Sequence, residues 1–457
     1  MIALYLIAAL VGLPLFAGIT VYLVKHPKVW LGFVLLLLPL FLADTGIGLS
    51  VSEAVTGGFI LSSILCWVFF KAATGYSFIQ SWADVFLIAF LLLSCINAVP
   101  AVLNDVPFDQ WISEWMLFLL LLYYFPLREY FGGSNRELSQ LLIICSLAII
   151  IMAGYTGYDW VTRSNNQLVY AYQLIASRSR LFAPVFSFGL TMVIAIYYFV
   201  RTTRMRLYLI ALGIINLLGL VQSVTRSLWL MFIVSTVLTM CFFSFRQNFK
   251  LIMAACLIAA IAFSTASFLY PRATTLALKL VSKRMSQGTL RGGDHSFETR
   301  VYEAESVWKE IKRYPLSGSG IRAQYVSWDP IEQKHSTKPF VHIGFISIVF
   351  KMGIGLSVLL LSMLIAFSIR SAVATMKGRR GIEQNGLAYG VALGTLAFQP
   401  TLYGFITVAG IFDQRYGNAI FMVMFALVSI ALKLTQQTTQ VPDRTVSPLP
   451  NSNLLPV

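Results

Sequence analysis

The sequence predicts an all-α, polytopic membrane protein of about 12–13 transmembrane helices with one large, mostly helical external loop. Three observations predict it. Hydrophobic residues make up 58% of the 457 positions and charged residues only 12%, where a soluble domain carries about a quarter charged. Apolar runs of about 18 residues or more recur along the whole chain, each able to cross a hydrocarbon core roughly 30 Å thick. One long polar stretch, Pro271 to Val341, is the largest break in that pattern. A membrane β-barrel would instead show short alternating segments.

In order, the candidate spans are roughly 2–24, 29–49, 55–70, 84–100, 115–131, 138–156, 181–200, 207–224, 227–244, 250–270, 342–368, 385–402 and 416–434. Asp44 to Glu53 is a soft break between the second and third. The first run lacks a basic n-region and a clear cleavage site, so it reads as a retained span. Residues 1–270 then form an N-terminal bundle, 271–341 the external loop and 342–435 the C-terminal spans. Residues 436–457, with Pro442, Pro448 and Pro450, read as a disordered cytoplasmic tail. Cys66, Cys95, Cys145, Cys241 and Cys256 all fall inside apolar runs. They read as packing residues, with no disulfide framework and no cysteine metal site.

Basic residues in short loops set the orientation. Arg201, Arg204 and Arg206 mark one cytoplasmic loop, Arg246 and Lys250 the loop two spans later, and Arg370, Lys377, Arg379 and Arg380 another. The segment Asn104 to Glu114 has Asp105, Asp109 and Glu114 without Lys or Arg and reads as external. These assignments alternate without conflict and place 271–341 outside, periplasmic in a Gram-negative cell.

The formal net charge is +15. Cytoplasmic loops explain part of it. The basic residues are scattered among spans, which argues against nucleic acid as a partner. The external loop itself holds twelve basic against seven acidic residues, a net +5. Long loops tolerate such charge; the alternative is an anionic partner such as lipid head groups, an acidic glycan or a diphosphate. Within the loop, Ser296 to Arg313 reads as a helix with Ser296 as N-cap and Glu298 in its first turn. Val301, Ala304, Val307, Trp308 and Ile311 form an apolar stripe at helical spacing, the mark of ordinary packing. Arg300 lies on its flank. Tyr314-Pro315 ends the helix and Leu316-Ser317-Gly318-Ser319-Gly320 turns the chain.

Candidate chemistry gathers at span boundaries on the external side. Arg226 sits in Val224-Thr225-Arg226-Ser227, between two spans with almost no loop. Such an arginine can be a snorkelling anchor. Thr225 is also placed to cap the next span, and a helix N-terminus beside a guanidinium is a natural phosphate site. Arg178 and Arg180 precede the span at 181–200, with the same two readings. His342 opens the span after the loop. An isolated histidine at a helix end is commonly structural; its near-neutral reference pKa also suits a general base. His295 and His335 read as solvated. No carboxylate cluster joins His335 and His342, so a metal site there is discounted.

Taken together, three segments resemble the O-antigen ligase and O-antigen polymerase superfamily of bacterial membrane glycosyltransferases. They are Thr225-Arg226-Ser227 followed by Leu228-Trp229-Leu230; Thr299-Arg300, Trp308 and Tyr314 to Gly320; and His342 followed eleven residues later by Gly353-Ile354-Gly355-Leu356. Arg180-Leu181-Phe182-Ala183-Pro184 is a weaker fourth match. Two positions depart from the family pattern: Ile343 replaces the Asn after the family's His, and Val185 the Asn after its Pro.

The resemblance implies an undecaprenyl-diphosphate-linked glycan donor and a glycan or lipid A–core acceptor. It places the enzyme in the bacterial inner membrane among lipids and other polysaccharide-assembly proteins, with the large loop outside and the C-terminus cytoplasmic. It assigns Arg226 and Arg300, with Arg180 as a lesser candidate, to the diphosphate and His342 to the acceptor hydroxyl. No metal or other cofactor is expected, and no Asp-x-Asp motif stands at the external face. A polymerase of exopolysaccharide or O-antigen repeats is favoured over a ligase because of the His342-Ile343 pair. A lipid-linked oligosaccharide flippase is the reading from another class. It would line a pathway with charges inside the bundle, whereas here the midspan regions are nearly free of Lys and Arg. A sensor or scaffold would leave Arg226, Arg300 and His342 unexplained.

Overall fold

The computed structural model describes residues 18, 21–22, 25–43, 51–163, 182–223, 225–269, 271, 274–275, 278–279, 282, 295–329, 333–408 and 415–439. The apolar runs become helices because a helix satisfies its own backbone groups, which lipid cannot do. The first half contains α1 (Pro27–Ala43), α2 (Val51–Ala73) and α3 (Trp82–Ser94); α3 continues through a 3-10 turn, Cys95–Asn97, into α4 (Ala98–Leu103). Next, α5 (Phe108–Trp115) and α6 (Tyr124–Phe131) are joined by a tighter 3-10 segment, Met116–Tyr123, so 115–131 is one apolar rod. The first half ends with α7 (Asn135–Arg163) and α8 (Ala183–Tyr197). Pro184 stands at the start of α8, where a missing N–H costs nothing.

Four further helices follow: α9 (Thr203–Gln222), α10 (Arg226–Met240), α11 (Phe245–Leu269) and α12 (His295–Arg313). A hairpin of β1 (Tyr325–Asp329) and β2 (Lys334–Lys338) precedes α13 (Gly344–Gly378), α14 (Ile382–Val408) and α15 (Arg415–Thr439). Among the described residues, six stretches are long and apolar enough to cross a membrane: Val55–Ala73, Trp82–Leu103, Asn135–Thr162, Thr203–Gln222, Gly344–Thr407 and Tyr416–Gln437. Gly344–Thr407 takes in both α13 and α14. Pro27–Ala43, Ala183–Tyr197 and Ser227–Met240 are shorter apolar helices. The all-α polytopic class is as expected. The antiparallel hairpin is an addition that helical periodicity did not announce.

The core is uneven. The apolar window of α15 is 89% buried, while those of α2, α3, α7 and α9 are 28–33% buried, so α15 is the central post. The other spans turn large apolar side chains outward, among them Phe69, Leu92 and Leu103, as lipid-facing helices do.

Side-chain bonds between distant segments fix which loops share an end. At one end the Tyr198 hydroxyl donates to the Gln247 carbonyl, the Arg201 guanidinium to the Glu383 carbonyl, and the Asn135 amide to Asn385 Oδ1. The basic loops at Arg201, Arg246 and Arg379 therefore come together. At the other end Asn104 Nδ2 donates to the Ser319 carbonyl (3.2 Å) and Lys351 Nζ to Glu114 Oε1 (2.8 Å). The acidic segment 104–114 thus joins the turn after α12. These are the two groups of loops that the charge pattern separates.

Candidate functional site

Helix α12 buries one line of residues, Glu303, Val307 and Ile311, at i, i+4 and i+8. The expected stripe is corrected here: Val301 and Trp308 are 39% and 53% exposed. The buried face is narrower, and a carboxylate holds one of its positions. The hairpin packs over this helix. Its register pairs Tyr325 with Lys338 and Asp329 with Lys334, so Tyr325, Asp329, Lys334 and Lys338 share a face. Lys338 Nζ reaches Glu303 Oε1 (3.3 Å) and Asp329 Oδ2 (3.2 Å).

The chain then passes Val341, fully buried, and reaches His342. Ile343 takes extended backbone angles at the N-cap of α13 and supplies no side-chain cap. His342 thus stands just before the helix begins. Its backbone N–H donates to Glu303 Oε2 (3.3 Å), and its ring Nδ1 lies 2.7 Å from the same oxygen. The Phe340 ring stands edge-on against the imidazole at 5.0 Å. The two partners differ in access: the His342 side chain is 43% exposed and that of Glu303 only 1%. Burial pushes the Glu303 carboxyl up. The His342 hydrogen bond and charge, with Lys338 behind them, outweigh burial and hold it below the usual carboxylate range. An ionised acceptor at Nδ1 favours a proton there, which leaves the Nε2 lone pair free.

Arg300 lies one turn before Glu303 on α12, so both rise from one side of the helix. It is half-buried, and its Nε is buried without a hydrogen-bond partner among the described residues. Glu303 thus joins the two elements: it bonds His342 directly and follows Arg300 by one helical turn. Arg226 is the first residue of α10. Ser235 Oγ meets Thr401 Oγ1 (2.6 Å), and Thr401 donates to the Met231 carbonyl (2.9 Å). These bonds set α10 against the second half of α14, so Arg226 lies at the end of the bundle where α13 starts. Thr225 occupies the N-cap position but does not cap. Its hydroxyl donates backward to the Ser223 carbonyl (3.0 Å), which corrects the expected cap. Arg178 and Arg180 lie outside the described residues. His335 is exposed and stacks edge-on with Trp328 across the hairpin (5.2 Å).

The two glycine motifs form one joint. α13 is broken at Gly353, whose φ of 72° and ψ of 173° are not helical. The Pro315–Gly320 turn docks on that break. Ser319 N–H donates to the Phe350 carbonyl (2.7 Å), Gly320 N–H to the Lys351 carbonyl (3.0 Å), and Ile354 N–H to the Pro315 carbonyl (2.9 Å). A Cβ on Gly318 would run into the Gly353 nitrogen, and one on Gly353 into the Leu316 carbonyl. Glycine is needed at both because two backbones meet there.

Asn97 closes the joint from α3–α4. Its amide donates to the Lys351 carbonyl (2.9 Å) and its carbonyl oxygen accepts from Ile321 N–H (2.7 Å). Lys351 is one of the few basic residues inside a span: it is 3% exposed and paired with Glu114. Sequence reasoning gave no role to Glu303, Asn97 or Lys351, and used Glu114 only to orient its segment. For Glu303 a signal existed, since it falls four residues before Val307 and three after Arg300.

These features define a polytopic helical membrane protein with an arginine and a carboxylate-held histidine at one end of its bundle. Residues 211–361 match the family model described as O-antigen ligase. That range runs from α9 into α13 and contains Arg226, Arg300, Glu303, His342 and both glycine motifs. The match spans 151 of the 457 residues, and over that stretch the chain is similar to this family. A search of curated proteins gave no match.

Proposed function

We propose that the protein is a metal-independent glycosyltransferase that polymerises undecaprenyl-diphosphate-linked glycan repeat units at the outer face of the bacterial inner membrane. One observation carries the reading: a partly exposed histidine has one ring nitrogen held by a buried carboxylate, and an arginine lies one helical turn before that carboxylate. The first is the arrangement of a general base, and the second puts a cation on the same helix side for an anionic group.

In the proposed step the acceptor hydroxyl oxygen attacks the anomeric carbon of the donor. Its proton passes to His342 Nε2, and the bond from the sugar to the diphosphate breaks. The diphosphate leaves with added negative charge. Arg300 and Arg226 stabilise that charge as fixed cations in a preorganised site, with Arg180 as a further candidate. A single displacement inverts the anomeric configuration. Residues 271–341 stand outside the cell and the C-terminus inside it. The spans of the bundle hold the polyprenyl chain.

The test uses purified protein, the organism's own undecaprenyl-diphosphate-linked repeat unit and a chelator, with and without lipid A–core. A ladder of longer lipid-linked glycans without added acceptor supports polymerisation. Product only when lipid A–core is present makes the protein a ligase. No product in either case, with verified substrates, rejects the reading, and transbilayer movement of the donor is then the measurement that decides for a flippase.

A further inference from the structure

We infer that Glu303 is the positioning residue of His342, fixing the ring by Nδ1 so that Nε2 faces the acceptor, and that Lys338 holds Glu303 in place for that task. The inference rests on His342 being the base and deepens that reading.

The first argument is cost. A carboxylate that is 1% exposed has surrendered its water, which is expensive unless every oxygen is paired. Both oxygens of Glu303 are paired. Oε2 takes the backbone N–H and ring Nδ1 of His342, and Oε1 takes Lys338. An apolar side chain at this position would continue the Val307–Ile311 line without that cost.

The second argument is geometry. Two bonds from one residue to one oxygen fix both where the backbone of His342 lies and how its ring is turned. The Phe340 edge at 5.0 Å limits rotation from the other side. A ring so held has one available nitrogen, and 43% of the side chain remains exposed. The third argument is the relay behind Glu303. Lys338 is shared between Glu303 and Asp329, so the hairpin sets the carboxylate as the carboxylate sets the ring. Among the described residues, Glu303 is the charged group bonded to His342, Lys338 and Asp329 of the hairpin stand behind it, and Arg300 lies one turn earlier on α12.

The test compares wild type, Glu303→Gln, Glu303→Asp and His342→Ala. Two quantities are read: turnover against pH, and hydrogen–deuterium exchange at the His342 imidazole C2 carbon against pH by mass spectrometry. The second needs no turnover. Glu303→Gln keeps a hydrogen-bond acceptor but removes the charge that favours the imidazolium. It is expected to lower kcat by about tenfold or more with KM little changed. Its acid limb of turnover and its His342 exchange midpoint both move to lower pH. Glu303→Asp, which restores the charge, is expected to return the exchange midpoint toward wild type and to recover part of kcat. An exchange midpoint that stays at the wild-type pH in Glu303→Gln overturns the inference, whatever its activity. Full turnover by His342→Ala instead overturns the base assignment, while a shifted midpoint in Glu303→Gln would still report the coupling. Should Glu303→Gln fail to fold, the same two readings on Lys338→Met decide: a wild-type midpoint and wild-type kcat there overturn the inference.

Discussion

Two buried carboxylates at opposite ends of the bundle, Asp84 and Glu303, are held by different partners, and only the Glu303 arrangement is open to solvent. At the basic end Arg128 Nη1 donates to Asp84 Oδ1 (2.9 Å) and Oδ2 (2.8 Å) and to the Tyr124 hydroxyl (2.8 Å). Its Nη2 donates to the Phe78 carbonyl (3.2 Å), and the Tyr124 hydroxyl donates to Asp84 Oδ1 (2.6 Å). Both side chains are shut in, at 7% and 0% exposure. At the loop end Glu303 is as buried as Asp84, but its partner His342 keeps a face in the open. A pair shut away on both sides cannot be reached by a substrate and serves the shape of the fold. A pair closed on one side can present a held group to a reacting atom.

The largest expected effects separate these roles. His342→Ala should lower turnover by about 10²–10⁴-fold with only a small fall in melting temperature, because the backbone N–H at 342 and Lys338 still hold Glu303. Arg128→Ala should do the reverse. It strands Asp84, and breaking a buried pair costs about 3–5 kcal/mol. Its melting temperature should fall, and turnover per folded molecule should hold. A His342→Ala protein that unfolds, or an Arg128→Ala protein that folds normally but does not turn over, would break the comparison.

A smaller effect tests the joint beneath the site. Gly353→Ala places a Cβ against the Leu316 carbonyl and forces a side chain into the left-handed region. Strain of that kind costs about 1–3 kcal/mol. The expected result is faster amide exchange in residues 315–322 and lower turnover, since the turn and the start of α13 lose their common seat. Unchanged exchange there would separate the glycine motifs from the site.

How much of this was legible from sequence depends on how far each feature reaches. The expected span at 2–24 lies mostly outside the described residues, but the helical class and most of the apolar helices were legible because hydropathy is local. So was the sorting of loops between two ends, since the Arg201, Arg246 and Arg379 loops meet as their charge suggests. His342 and Arg300 stood out because they sit at an element boundary and on a stripe's flank. Glu303 did not, because its role depends on a residue 39 positions away. Beside Glu305 and Glu310, it looks like one more solvated glutamate until the hairpin closes over it. The hairpin itself was obscured because Lys334-His335-Ser336-Thr337-Lys338 carries no apolar alternation. The break at Gly353 was hidden differently. Its motif was visible, but a positive φ within a hydrophobic run leaves no mark in the hydropathy.

Acidification probes the open pair. The folded-state pKa of Glu303 is below the ordinary carboxylate value. Its ionised form therefore contributes stability above the unfolded-state value, and that contribution is lost as pH falls through the lower folded-state value. Amide protection in α12 and the hairpin should decline over that acid range in wild type. In Glu303→Gln this component should be missing. An identical acid decline in both proteins would assign the effect to another carboxylate.

The smallest expected effect guards against reading all charge on α12 alike. Arg313 lies thirteen residues after Arg300 and bonds to Glu310 at 2.9 Å. Its side chain is 68% exposed, and such pairs contribute about 0–1 kcal/mol because water screens them. Arg313→Ala should leave melting temperature and turnover near wild type, at low and at high salt. Arg300→Ala should lower turnover strongly, because Arg300 lies one turn before Glu303, the carboxylate that holds His342. If the two substitutions cost the same, the site reads the summed charge of the helix and not the placement of one guanidinium. The contrast between closed and open groups would then fail at the residue where it matters most.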